Sequence, residues 1–109
     1  MDEIPYIKYG SFRSNEKTKP DIVEFKVKEL DTFDTDFSTN VVVLQKSDKE
    51  WNEVILPLKS HDSVNESLLR LWRRGITDKL ITPGKEFVLK TWLGLSKNQR
   101  PIRRFELVF

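Results

Sequence analysis

The cations near the end of the chain are the residues whose type and spacing most clearly indicate chemistry. Arg100, Arg103 and Arg104 fall within five residues around a proline, and Lys97 precedes them. Guanidinium and ammonium groups at this density can neutralise phosphates and release their counterions. Three arginines in so short a segment exceed what solubility requires, so we interpret them as candidates for binding an anionic ligand.

Two tryptophans, Trp51 and Trp92, could add flat surfaces to these charges. Alternation of apolar and polar residues puts each on a strand, opposite the apolar side, and Lys90 shares the side of Trp92. An exposed indole ring can stack on a nucleic-acid base, which contributes about 1–3 kcal/mol per base whatever its identity. Tryptophan is also mostly buried in small proteins, so both interpretations stay open for Trp51 and Trp92.

Phe33 and Phe37 lie in a stretch rich in Asp, Thr and Ser, which predicts a loop between residues 30 and 40. They are candidates for the same aromatic surface, or anchors that cover one end of the core. The aspartates of this loop are spaced two or three residues apart, without the glycine and terminal glutamate of an EF-hand. We expect a solvated acidic loop and no metal site.

Groups suited to catalysis are sparse. The chain has no cysteine and a single histidine, His61, which excludes disulfides, cysteine zinc sites and thiol nucleophiles. His61, Asp62 and Ser63 are neighbours, and neighbours in sequence cannot converge as base, orienting group and nucleophile. No phosphate-binding glycine loop or dinucleotide fingerprint occurs. We expect a protein that is not an enzyme and uses no cofactor.

The chain of 109 residues is long enough for one ordinary domain. Its net charge of +2 divides unevenly, because residues 1–58 carry 8 basic and 12 acidic side chains and residues 59–109 carry 11 and 5. No apolar run approaches the length of a membrane span, and the first residues lack the features of a signal peptide. We expect an intracellular protein, cytoplasmic or nucleoid-associated, with no membrane partner.

Alternating apolar and polar residues predict five strands. The first strand starts at Asp21, and the other four cover residues 41–44, 51–58, 86–93 and 102–109. Ser63 and Glu66 fit a capping box that would begin a helix, with an apolar stripe of Val64, Leu68, Leu71 and Trp72 and a stop at Gly75. Residues 1–20 show no sustained period and predict an irregular arm ahead of a domain at 21–109.

Three strands, one helix and two strands form the order of an OB-fold, a mainly β, five-stranded Greek-key barrel with a helix between strands three and four. Residues 22–109 resemble OB domains of the replication protein A type and small single-stranded-DNA-binding proteins, whose fourth strand typically follows a turn like Pro83-Gly84. Ser38-Thr39 stands where those domains usually have a glycine, and the arm is extra.

The resemblance implies binding of single-stranded nucleic acid, DNA rather than RNA, largely without sequence preference. The expected contacts are Trp51, Trp92, Phe33, Phe37, Lys90, Lys97, Arg100, Arg103 and Arg104. One alternative is an OB-fold adaptor whose basic half docks on an acidic protein or on another subunit. A second alternative is an RNA-binding domain.

Overall fold

The computed structural model describes residues 3–7 and 11–109, which fold into a mainly β structure with one helix. The elements are β1 (Asp21–Val27), β2 (Phe33–Asp34), β3 (Ser38–Ser47), β4 (Glu50–Ser60), α1 (Ser67–Thr77), β5 (Glu86–Leu95) and β6 (Pro101–Val108). The five predicted strands and the helix are all present, and the acidic loop holds the short additional strand β2. No helix in the described part of the chain is long and apolar enough to cross a membrane.

The sheet is antiparallel, and its five long strands are joined in the order β4, β3, β1, β5, β6. It is not closed into a barrel, because β4 and β6 form no ladder with each other in the described chain. The predicted five-stranded OB barrel is therefore not confirmed. We call the gap between these two strands the seam. Pro57 in β4 has no N–H to donate, and the side-chain amide of Asn65 donates to the carbonyl of Arg103 in β6 at 3.1 Å.

The core is built from alternate residues of the long strands, as the sequence predicts. Phe25 of β1 stacks on Phe87 of β5 with ring centroids 5.4 Å apart, and Trp72 of α1 meets Phe87 edge-on at 5.9 Å. All three side chains are buried. Leu93 has the same parity in β5 as Phe87 and Leu89 but is 38% exposed, because β5 runs past the last pairing of β1 at Asp21 and Thr91.

The predicted capping box is wrong. Glu66 is itself the N-cap residue and makes no side-chain cap hydrogen bond. The hydroxyl of Ser63 instead accepts a hydrogen bond from the N–H of Asn65 at 3.0 Å, so the chain turns once before the helix begins. Val64, predicted in the apolar stripe, precedes the helix and is 98% exposed.

Gly75 does not end the helix, which continues to Thr77. It is buried, and a Cβ at this position would come within 2.5 Å of Ile81 Cδ1 and 3.2 Å of a Phe109 ring carbon. A glycine is therefore needed at this position because the chain after the helix packs closely against it. It does not serve to end the helix.

The N-terminal arm packs on the edge of β4. Ile7 donates to the carbonyl of Ile55 at 3.0 Å, and Ile55 donates to the carbonyl of Pro5 at 2.8 Å, which makes a parallel bridge. Ile7 is buried in the core cluster, and Phe12 packs against that cluster. Tyr9, another aromatic of the arm, lies outside the described residues.

Removing residues 1–10 is expected to lower the free energy of unfolding by about 2–3 kcal/mol, because it removes Ile7 from the core and two hydrogen bonds from the β4 edge. The uncovered edge can then pair with another chain, so the truncated protein should elute as larger species at high concentration. Urea denaturation and gel filtration measure the two effects. An unchanged denaturation midpoint would contradict the packing role of Ile7.

Candidate functional site

The outer face of β5 and β6 brings together three of the predicted contact residues. Phe87 and Leu89 point into the core, so Lys90 and Trp92, at alternate positions, point outward. Arg104 of β6 lies directly opposite Trp92 in the ladder, and opposite residues of an antiparallel pair share a face. An aromatic ring and two cations are therefore neighbours on one outer surface, which also carries Glu106 opposite Lys90.

The hairpin of β5 and β6 projects beyond the rest of the sheet. Its ladder continues to Leu95 and Pro101, whereas the pairing of β5 with β1 ends at Thr91. Its loop carries Lys97 and Arg100, both exposed. The loop is ordered, because Ser96 donates its N–H to the Arg100 carbonyl at 2.8 Å and accepts the Arg100 N–H on its hydroxyl at 3.2 Å.

Arg104 lies along this hairpin over Gly94. A Cβ at Gly94 would come within 3.2 Å of Arg104 Cγ, so the missing side chain makes room for the arginine. Its Nη2 donates to the Leu95 carbonyl at 3.4 Å, a long bond that leaves the other guanidinium donors for a ligand.

A depression of about 470 Å³ runs from Trp92 across the edge of β6 to α1. Its lining residues are Lys17, Ser67, Leu71, Trp92, Arg104, Phe105, Glu106 and Leu107. The floor is largely apolar and aromatic, and the two cations outnumber the single carboxylate. This combination suits a ligand with flat apolar groups and negative charges.

Lys17 belongs to this site, although sequence analysis missed it. It sits on a turn held by Ser14, whose N–H donates to Asp21 Oδ2 at 2.8 Å and whose carbonyl accepts the N–H of Leu93 at 2.9 Å. The Ser14 hydroxyl also donates to the carbonyl of Lys19. This contact between arm and hairpin helps to place Lys17 beside Trp92, and no local pattern in the sequence indicates it.

Trp51 lies on the outer face of the sheet in a different environment. Lys26 Nζ stands 4.4 Å from the centroid of its ring, and Lys46 Nζ stands 6.0 Å away. Lys46 is 3.8 Å from a carboxylate oxygen of Glu24, and the neighbouring Lys28 pairs with Glu53. The ring face already carries an ammonium group and the nearby charges are compensated, so Trp51 is a poorer stacking surface than Trp92.

Trp51 and Trp92 are also too far apart to form one site. Following the ladders from Trp51 through Lys46 and Glu24 leads to Val88 on β5, three strands away, and Trp92 lies four residues further along. At about 4.8 Å between strands and about 3.3 Å per residue, the path along the sheet is roughly 20 Å.

Arg103 points to the inner side of the hairpin. Its Nη1 donates to the hydroxyl of buried Thr91 at 3.1 Å, and its guanidinium lies 5.8 Å from the ring centroid of Phe12. It therefore ties the arm to β5, and it does not share the outer face with Trp92 and Arg104.

Phe33 and Phe37 form a third, separate surface. Phe37 is 77% exposed, and its loop is ordered, because Thr35 Oγ1 accepts the Phe37 N–H at 3.2 Å and the Phe37 carbonyl accepts the N–H of His61 at 2.8 Å. This loop follows the end of β1, whereas the hairpin projects beyond the start of β1. The two surfaces therefore lie at opposite ends of that strand.

Comparison of the chain with protein-family models, curated proteins and solved structures finds no match. Within residues 3–7 and 11–109, no three His, Asp or Glu side chains are grouped so that they could hold a metal ion. A functional proposal for this chain therefore depends on the chemistry of its own surfaces.

Proposed function

We propose that this chain binds single-stranded nucleic acid, DNA in preference to RNA, without catalysing a reaction. The site is the hairpin surface, which we define as Lys17, Lys90, Trp92, Lys97, Arg100 and Arg104. The observation that carries the proposal is the position of Trp92, partly exposed on the outer face, between Lys90, Lys17 and Arg104. The indole ring would stack on a base while the cations contact the phosphates on either side.

The charges of the hairpin surface support this proposal. Its five cations form no ion pair with any residue in the described part of the chain, whereas Lys28, Lys46, Arg70 and Arg74 are each paired with a carboxylate. Cations without an ion pair attract a polyanion more strongly than paired ones do, because no internal salt bridge has to be broken. Four of the eleven basic residues after position 58 belong to this surface, and Lys17 of the arm adds a fifth cation.

The strand order supports a relation to the OB-fold. Bringing β4 beside β6 across the seam would close the five long strands into a barrel, with α1 between the third and fourth of them. In OB domains the loop between the last two strands flanks the ligand groove, and here that loop carries Lys97 and Arg100. The arm, which adds Lys17, would be this chain's own extension of the groove.

The two partly exposed tryptophans, Trp51 and Trp92, provide a matched test. Trp92→Ala is expected to weaken the binding of a labelled thymidine oligonucleotide about tenfold or more, because a stacked base contributes about 1–3 kcal/mol. Trp51→Ala should change the affinity less than about twofold, since Lys26 already covers its ring. Fluorescence anisotropy at low salt measures both. A wild-type protein that fails to bind would refute the function, and equal losses in both variants would refute the site.

Competition experiments address the class of nucleic acid. Unlabelled single-stranded DNA is expected to displace the labelled strand at lower concentration than duplex DNA of the same sequence, because stacking on Trp92 needs an exposed base face. RNA of the same sequence is the third competitor, and displacement by RNA at lower concentration than by DNA would favour the RNA-binding alternative.

A further inference from the structure

Two exposed surfaces of this chain complement each other in charge and in apolar character. The acidic loop, defined as residues 30–37, carries Asp31, Asp34 and Asp36 and no lysine or arginine. The hairpin tip, defined as residues 93–101, carries Lys97 and Arg100 and no carboxylate. The three aspartates and the two cations are exposed.

The acidic loop presents an aromatic anchor. Phe37 is 77% exposed, and the hydrogen bonds from its N–H to Thr35 Oγ1 and from His61 to its carbonyl hold its backbone in place. Phe33 on the adjacent β2 is 37% exposed. A large apolar side chain on an ordered loop loses little conformational freedom when a partner covers it, and aromatic residues dominate the binding energy of many protein interfaces.

The hairpin tip presents a receiving surface. A depression of about 560 Å³ is lined by Leu93, Gly94, Leu95, Pro101 and Asn15 of the arm. Leu95 is 59% exposed and Leu93 is 38% exposed, because the tip extends past β1 and has no core beneath it. The lining is mostly apolar, and the cations of the tip border it.

We propose that the chain associates head to tail, with Phe37 of one copy seated in the hairpin-tip depression of the next. The aspartates of the acidic loop then face Lys97 and Arg100. A second copy of the chain therefore supplies both an apolar side chain for the depression and opposite charges for the cations beside it. Because the two surfaces lie at opposite ends of β1, each copy keeps one surface free for a further neighbour. Such a contact builds open chains or rings.

This association does not depend on the proposed nucleic-acid function, but it uses two cations of the hairpin surface. Lys97 and Arg100 cannot contact the acidic loop of a neighbour and the phosphates of a strand at once. If the proposed function holds, an oligonucleotide is therefore expected to dissociate the assemblies.

Sedimentation velocity over a range of protein concentrations at low salt tests the association. The weight-average mass is expected to rise with concentration and to fall when salt is added, since opposite charges across the contact are screened. Phe37→Ala should raise the dissociation constant about tenfold or more. Val64→Ala, at a site that is 98% exposed outside both surfaces, is the matched control and should leave the constant unchanged.

A mixing experiment distinguishes the head-to-tail contact from other modes. Phe37→Asp leaves the hairpin tip intact and Leu95→Asp leaves the acidic loop intact, so each variant alone should be monomeric. An equimolar mixture should form a dimer and nothing larger, because only one productive contact remains per pair. Circular dichroism verifies that both variants keep the wild-type fold, and Phe37→Ala with Leu95→Ala replaces any variant that does not.

The proposal is overturned if the wild-type chain stays monomeric at every concentration or if the mixture stays monomeric. It is also overturned if the Phe37 variants associate like the wild-type protein. Oligonucleotide binding without self-association would refute this inference alone, whereas self-association without oligonucleotide binding would refute only the proposed function.

Discussion

Raising the salt concentration from about 50 to about 200 mM is expected to weaken oligonucleotide binding about a hundredfold. Each phosphate neutralised on a single strand contributes about 0.7 to the slope of log affinity against log salt. The five cations of the hairpin surface form no ion pair with a described residue, so none has to break a salt bridge to contact a phosphate. A slope near about −3.5 follows, and anisotropy titrations at four or more salt concentrations measure it.

Neutralising part of the hairpin surface tests whether these cations set the slope. The double variant Lys97→Ala with Arg100→Ala is expected to lower the magnitude of the slope by about 1.4, because two phosphate contacts are lost. Arg70→Ala with Arg73→Ala removes the same charge from the exposed side of α1 and is the control that should leave the slope unchanged. Similar changes in both double variants would mean that overall charge, and not the hairpin surface, drives binding.

The strands of this chain could be predicted because their signal is local. In β1 and β4, apolar residues alternate with polar ones, and the same alternation appears in the burial of Val23, Phe25, Val54 and Leu56. Closure of the sheet has no such local signal. Whether β4 pairs with β6 depends on the free hydrogen-bonding groups of both edge strands. Pro57 in β4 has no N–H to donate, and the Arg103 carbonyl in β6 already accepts a hydrogen bond from the side-chain amide of Asn65.

The start of the helix shows how a tertiary contact overrides a local motif. Ser63 and Glu66 have the spacing of a capping box, but Asn65 between them donates its side-chain amide to β6 and accepts the N–H of Ser67 at 3.2 Å. These bonds hold the chain in a turn until Glu66. A motif read from residue types alone cannot include an interaction with a strand 38 positions away.

The sequence predicts on which side of its strand each candidate residue lies, but it does not predict which of these residues come together in space. Alternation places Trp92 outward and puts Arg103 on the side of Phe105, and the ladder agrees with both. The distance between Trp51 and Trp92, however, depends on strand order. The presence of Lys17 in the depression depends on how the arm crosses the sheet.

Trp72→Ala is expected to lower the free energy of unfolding by about 3–5 kcal/mol, which is the usual effect of removing a large aromatic core residue. Trp72 is fully buried, its indole N–H donates to the Leu30 carbonyl at 3.3 Å, and its ring packs edge-on against Phe87. Small domains are stable by only about 5–15 kcal/mol. The urea midpoint should therefore fall by about 2 M, for a denaturant dependence of about 2 kcal/mol per molar.

The other tryptophans make this prediction specific, because the sequence places Trp72 in the apolar stripe of the helix and Trp51 and Trp92 opposite the apolar sides of two strands. Trp51→Ala and Trp92→Ala remove partly exposed side chains from the outer face and should each cost no more than about 1 kcal/mol. Trp72→Phe keeps an aromatic ring against Phe87 but loses the bond to Leu30, so an intermediate loss of about 1–2 kcal/mol is expected. If Trp72→Ala unfolded at the same urea concentration as Trp51→Ala, α1 would contribute little to the core. That result would contradict the assignment of Trp72 to the stability of the fold and of Trp92 to binding.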